Sequence, residues 1–267
     1  ITGIGGQDGY FMSRLLLENG YEVHGIIRRH ESSKEQNYRI KEFEDQLHLH
    51  YGDLQNYESL HRIIAPLKFD ELYHYGAQSY VPLSWQDPAT VMDTNVMGTL
   101  RILEILRNHS KDTKFFFAGS SEQYGKVLEI PQRETTPFNP QSPYATSKVA
   151  GFYLTKNYRE SFGMYCSSAI SFNHESNLRG SSFVTRKISL GVARIKHQLD
   201  NGVDIIDKIR LGNLNAKRDW SFAGDIVEAH YLMLQQDEPD DFCLATGKVY
   251  SVKDFVKEFV LKKLMEF

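Results

Sequence analysis

The chain has 267 residues, of which 41% are hydrophobic and 24% charged, with a formal net charge of −3. This is the composition of a globular protein with ample core, and its interspersed charges leave no footprint for nucleic acid or an anionic membrane. No apolar run approaches the roughly 18 residues that a membrane span requires.

Cys166 and Cys243 lie in apolar runs without C-x-x-C or Cys/His spacing, so they read as small buried hydrophobes. No metal site is expected, and a reducing cytoplasm fits. The chain starts at Ile1-Thr2-Gly3 with no initiator Met and no strand to feed the turn that follows, and it stops abruptly at Phe267. It reads as an incomplete chain without a signal peptide.

The first half alternates helical and extended patterns. A glycine-rich turn, Gly3 to Gly9, precedes a helix over Phe11–Asn19 that stops at Gly20. Strands are expected at 21–27 and 47–52, with a helix following Asp53-Leu54 through Ile64. A strand at 71–77, a helix at 95–108 and the apolar strand 114–119 come next. A helix over 148–162 leads to a strand at 165–172. Strands alternating with helices of this length imply βαβ units, an α/β fold with a doubly wound parallel sheet and a smaller second domain. The expected division assigns 1–172 and 219–248 to a nucleotide-binding domain, and 173–218 with 249–267 to a substrate domain.

The polar clusters fall where such strands end, at the carboxyl edge that binds ligands. Gly3, Gly6 and Gly9 suit a pyrophosphate approaching the backbone, with Gln7 and Asp8 between them and a helix N-terminus behind. Arg28 and Arg29 stand where an acidic residue would hold the ribose of NAD, so they suit a 2′-phosphate and favour NADP; a solvated basic loop is the alternative. Asp53 and Leu54 are candidates for adenine contact, although Asp53 could simply cap the next helix.

Tyr144 and Lys148 lie one helical turn apart, and an ammonium beside a phenol favours the phenolate, which can then act as a base. Ser120 and Glu122 close an apolar strand, where a carboxylate offers a second proton-transfer group; Ser120 or Ser121 capping a short helix is the alternative. Together these groups read as redox chemistry coupled to an elimination. Further along, Asn173, His174, Lys187 and Arg218 add hydrogen-bond formers and cations able to converge on a diphosphate. Taken singly, each of those charges is as well explained by solvent exposure.

With these residues in hand, the chain resembles the extended short-chain dehydrogenase/reductases, and within them the GDP-mannose 4,6-dehydratases. The resemblance rests on Leu49 to Leu54, Gly76 to Ser79, Lys126 to Pro143, Phe172 to Ser176, Phe183 to Ser189 and Leu211 to Trp220. It implies a cytoplasmic lyase with an internal redox cycle, in which a hydride is lent from C4 of a GDP-linked sugar to NADP and returned at C6. On that pattern Tyr144 takes the C4 hydroxyl proton, Glu122 the C5 proton, and Ser120 hydrogen-bonds the reacting hydroxyl. Tyr75, Ala77, Ser79, His174 and Arg179 match cofactor positions; Ser84, Asn173, Lys187 and Arg218 match substrate positions. A homodimer or homotetramer is implied, with no nucleic acid or membrane partner.

Four features depart from the family pattern: Gly5 where Thr is usual, a short segment from His30 to His48, Thr90 in place of Tyr, and a substrate domain that stops after about Phe259. They leave room for a GDP-manno-heptose as substrate. An epimerase or 4-reductase of the same superfamily would need Tyr144 and Lys148 but not Glu122. A non-catalytic NADP sensor would need none of the proton-transfer groups.

Overall fold

The apolar runs of the first half pair as parallel strands. The computed structural model describes residues 1–28, 37–203 and 208–261, and its contacts divide the chain into two units. The first comprises Ile1–Ser171 and Ala223–Leu244, the second Phe172–Phe222 and Ala245–Phe267.

In the first unit, β1 (Val23–Ile27) pairs with β2 (Leu47–Tyr51), while β3 (Glu71–His74), β4 (Lys114–Ala118), β5 (Cys166–Ser171) and β8 (Asp241–Leu244) follow one another across the sheet, all parallel. Thr2 bridges Ile26 on one side and His74 on the other, so the strand order reverses at this residue. The glycine turn that follows Thr2 therefore sits at the switch point, the position at which doubly wound sheets bind ligands. β5 is buried along its whole length, as expected of a central parallel strand.

Helices cover both faces. α1 (Gln7–Glu18) packs on α8 (Ala223–Leu234), and α2 (Tyr57–Leu67) on α5 (Gly98–His109), which in turn meets α6 (Pro143–Phe162). Short helices α3 (Val81–Gln86) and α4 (Pro88–Met92) precede α5. Ile4, Met12, Leu16, Val23, Phe116, Val227 and Leu234 share one core cluster that joins turn, strands and helices.

The helix expected from Lys148 begins five residues earlier, at Pro143, because Ser142 accepts a hydrogen bond from the Ala145 N–H and Pro143 occupies the first turn at no cost in hydrogen bonds. Cys166 is buried, and burial pushes its thiol up to about 12. Cys243 is only half-buried, and its Sγ accepts a bond from Tyr124 Oη at 3.7 Å, so it is less a core hydrophobe than expected.

The second unit holds β6 (Asn173–Glu175) parallel to β7 (Lys217–Phe222), with β9 (Val249–Ser251) antiparallel to β7. Helix α7 (Val184–Asp200) buries Ile188 in a small cluster with Val252, Trp220 and Phe255. Among the described residues, no helix is long and apolar enough to cross a membrane.

Candidate active site

The glycine turn is shaped by close approach. Gly3 has φ +70°, and a Cβ there would stand 2.8 Å from the Gly76 nitrogen; a Cβ on Gly9 would meet the Gly3 and Ile4 carbonyl oxygens at 2.5 Å. The Gly6 N–H donates to the Gly3 carbonyl at 2.9 Å. Gly6 is the N-cap of α1 and makes no side-chain cap, so the N–H groups of the first turn face no capping side chain. Arg39, which the sequence did not single out, donates to the Gly5 carbonyl at 3.0 Å and so braces the turn.

Lys148 is 5% exposed, and its ammonium donates to the Ala118 carbonyl, the last residue of β4, at 2.7 Å. Burial lowers its pKa to about 8, opposed by the Asp8 carboxylate. The same Asp8 acts on the phenol of the half-buried Tyr75, whose pKa is raised chiefly by desolvation. The fold thus brings together groups from the glycine turn, the end of β3 and the start of α6.

Tyr144 is buried and lies in the first turn of α6. The Lys148 ammonium stands 6.0 Å from its ring centre. Two residues missed by sequence reasoning set this geometry. A Cβ on Gly151 would lie 2.3 Å from Phe117 Cζ, so glycine lets α6 approach β4 closely enough for Lys148 to reach Ala118. Buried Asn95 donates to Ser147 Oγ at 2.9 Å and binds both the N–H and carbonyl of Gln78, while Ser147 donates to the Tyr144 carbonyl. No local motif signals either contact, because each joins residues far apart in the chain.

Ser120 does cap a short helical turn, Ser121–Gln123, accepting from the Glu122 N–H at 3.3 Å. Its capping partner is Gln123, whose Oε1 accepts from the Ser120 N–H at 2.8 Å. Glu122 is therefore not the carboxylate of that capping box, and it stays half-buried at the end of β4. Gly119, just before, has no room for a Cβ, which would meet the Ala169 carbonyl at 2.3 Å.

The remaining candidates differ in how they are held. Asp53 accepts from the Gln55 N–H in a local turn, and the cap of α2 is Asn56 instead. The Leu54 side chain packs against Gly76 and Gly98. Tyr75 Oη pairs with His230 Nδ1 at 3.1 Å, and His230 Nε2 with Ser171 Oγ at 2.9 Å. Ala77 is half-buried, whereas Ser79 and Arg28 are exposed; Arg29 lies outside the described residues. Ser84 is 0% exposed and its hydroxyl donates to the Val81 carbonyl at 2.7 Å, so the structure does not present that hydroxyl at a surface.

In the second unit, Asn173 and His174 lie on β6, and the His174 ring bonds the Phe172 carbonyl through Nδ1 at 2.8 Å. Arg179 pairs with Glu175 at 3.4 Å and lies 3.8 Å from the centre of the Phe183 ring. Lys187 on α7 and Arg218 on β7 are exposed.

A family model described as GDP-mannose 4,6 dehydratase matches residues 1–266. The chain belongs to the GDP-mannose 4,6-dehydratase family. Against the GDP-mannose 4,6-dehydratase of Vibrio cholerae serotype O1 it is 49% identical over 263 residues, covering 96% of this chain and 69% of the relative. The family's α/β fold also appears in a dTDP-glucose 4,6-dehydratase of Streptomyces venezuelae with NAD bound, at TM-score 0.83 and 20% identity, covering 99% of this chain and 80% of that one. The RMD protein of Pseudomonas aeruginosa complexed with NADPH gives TM-score 0.77 at 24% identity, covering 96% and 80%. At these identities the likeness is one of fold.

Proposed function

We propose that this member of the family dehydrates GDP-mannose across C4 to C6, yielding a GDP-4-keto-6-deoxy sugar, with NADP as cofactor. The observation that carries the reading is the junction of β4 with α6. A desolvated Lys148 is bonded to the end of the strand, Tyr144 lies one turn away, and Ser120 and Glu122 follow on the strand's own exit turn.

The glycine turn suits a dinucleotide, because it lies at the switch point of the sheet and Gly6 brings no capping side chain to the first-turn N–H groups of α1. Gly6, Gln7 and the first-turn N–H groups of α1 would hold the pyrophosphate, Arg28 the 2′-phosphate, and Asp53 with Leu54 the adenine. When bound, NADP supplies a reversible hydride acceptor. Equal affinity for NAD and NADP by calorimetry would remove the phosphate role of Arg28. On this reading residues 1–172 and 219–248 serve the cofactor, and 173–218 with 249–267 serve the sugar nucleotide.

The chain's own groups move the protons. Tyr144, its phenolate favoured by the Lys148 ammonium, takes the proton of the C4 hydroxyl while Ser120 hydrogen-bonds the same oxygen. A ketone at C4 makes the C5 proton acidic. Glu122 removes it, and the C6 hydroxyl leaves as water with a proton from the same carboxyl.

The test is Glu122→Gln, which keeps size and hydrogen-bonding reach but loses the base. Supplied with NADP and GDP-mannose, the variant should oxidise C4 and stall, accumulating reduced cofactor visible by absorbance, with no deuterium entering C5 from heavy water. Normal turnover with deuterium at C5 would make Glu122 a bystander and assign removal of the C5 proton to another group.

A further inference from the structure

A second constellation lies at the opposite ends of the strands from the glycine turn. β1 and β2 pair in register at their N-terminal ends, with His24 opposite His48. Val23, Leu47 and Leu49 belong to the hydrophobic cluster on one face of the sheet. The two-residue period of a strand therefore sends His24, His48 and His50 to the other face together. Glu22, just before β1, joins them. Spacing along the chain does not show this group, because strand pairing alone makes the residues neighbours.

The distances are those of a ligand set. Glu22 Oε1 lies 3.0 Å from His24 Nε2 and 3.5 Å from His48 Nε2. The ligand atoms of all three residues lie within 4.8 Å of one another. Ligands bound tetrahedrally to zinc at about 2.0–2.1 Å stand roughly 3.3 Å apart, so the two edges to Glu22 match, while the exposed His48 ring, stacked on His24 at 4.7 Å between ring centres, has to turn to bring its Nε2 onto the same ion.

A second observation is independent of these edges. A metal-bound histidine fixes its ring by donating its other N–H to a partner. His24 Nδ1 lies 2.9 Å from His50 Nε2, which leaves Nε2 of His24 to face Glu22 and His48. The His24 and His50 rings are stacked at 6° between planes, and Phe69 lies against His24 at 5.1 Å between ring centres. Burial holds the His24 ring, with 15% of its side chain exposed, while the side chains of His48 and Glu22 are 57% and 70% exposed and open to an incoming ion.

We propose that Glu22, His24 and His48 form a binding site for one divalent transition-metal ion of the zinc type, with water completing the coordination. The ion would cross-link β1 to the edge strand β2. Imidazole and carboxylate suit zinc, copper and nickel over magnesium or calcium.

The experiment titrates Zn2+ alone into the purified chain by calorimetry, and Co2+ with visible spectroscopy. His48→Gln, Glu22→Gln and His109→Gln are run in parallel. The last variant matters because His61 and His109 form another exposed pair, with Nε2 atoms 3.2 Å apart. His48 and Glu22 are solvent-exposed, so their replacement leaves the fold intact. We expect one zinc per chain, the intense bands of four-coordinate cobalt, and affinity lowered about tenfold or more by either His48→Gln or Glu22→Gln but unchanged by His109→Gln. A dissociation constant weaker than about 1 mM, or binding that survives His48→Gln and disappears with His109→Gln, overturns the proposal.

Discussion

Lys148 and Lys187 are the same residue type in opposite circumstances. Lys148, in the first unit, is 5% exposed, bonded to a strand carbonyl and lowered in pKa to about 8 by burial. Lys187, in the second, is exposed on α7, as Arg218 is on β7. Desolvation makes the first a tuned group whose proton can be shared with chemistry, at a cost in stability. Exposure leaves the others weakly coupled to the fold, which fits the substrate-binding role proposed for them. Variants in the first unit should therefore disturb chemistry or folding, and variants at the exposed cations should disturb binding alone.

The largest effect is expected at Tyr144. Tyr144→Phe keeps the ring and removes the hydroxyl, so kcat should fall by roughly 10²–10⁴-fold with sugar-nucleotide affinity retained. Retention of more than about a tenth of parent kcat would remove the general-base role.

Gly151→Ala probes the packing under that chemistry. Its Cβ would meet the buried Phe117 ring at 2.3 Å, so helix or ring must shift. Stability should fall by about 1–3 kcal/mol in urea unfolding, and kcat should fall with it as Lys148 is drawn from Ala118. An unchanged unfolding midpoint would show that the seam is looser than the contact distances imply.

For the exposed cations the comparison predicts a different signature. Lys187→Ala or Arg218→Ala should raise KM for the sugar nucleotide by about tenfold, leaving kcat and unfolding stability near parent values. A loss of kcat without a change in KM would place these residues with the chemistry instead.

A further effect is expected in stability against pH. The pKa of Lys148 is lower folded than unfolded, so between about pH 8 and 10 the unfolded chain binds the extra proton and stability gains a rising contribution. Lys148→Met removes that contribution, so the unfolding midpoint of the parent should gain on that of the variant as pH rises through this window. Parallel pH profiles for the two proteins would mean that Lys148 is not desolvated.

The sequence made the βαβ rhythm, the glycine turn and the Tyr144/Lys148 spacing legible, because each is written in residues close together. Asp53 and Asn56 were harder to separate, since both are good caps and only the bond from the Ser59 N–H to Asn56 decides between them. α8 has apolar residues on too many sides to show a helical stripe, and β8 is four residues long and begins on Asp241. Gly151 against Phe117, Asn95 against Ser147, and His24 against His48 lie further from legibility. Each depends on a strand register or helix docking that no local pattern encodes.

One helix, α6, carries both Tyr144 and Lys148, while Ser120 and Glu122 ride on the exit turn of β4. The spacing of the first pair is internal to the helix, about 6 Å of axial rise, and survives any movement that keeps the helix whole. Glu122 has no such guarantee, because it rides on a different element. On the proposed roles the two half-reactions could be inherited separately: a descendant that replaced Glu122 would keep the oxidising pair and lose only the elimination. On that reading one fold could pass from dehydratase to epimerase or reductase by substitution on a short turn, without touching the helix that carries Tyr144 and Lys148.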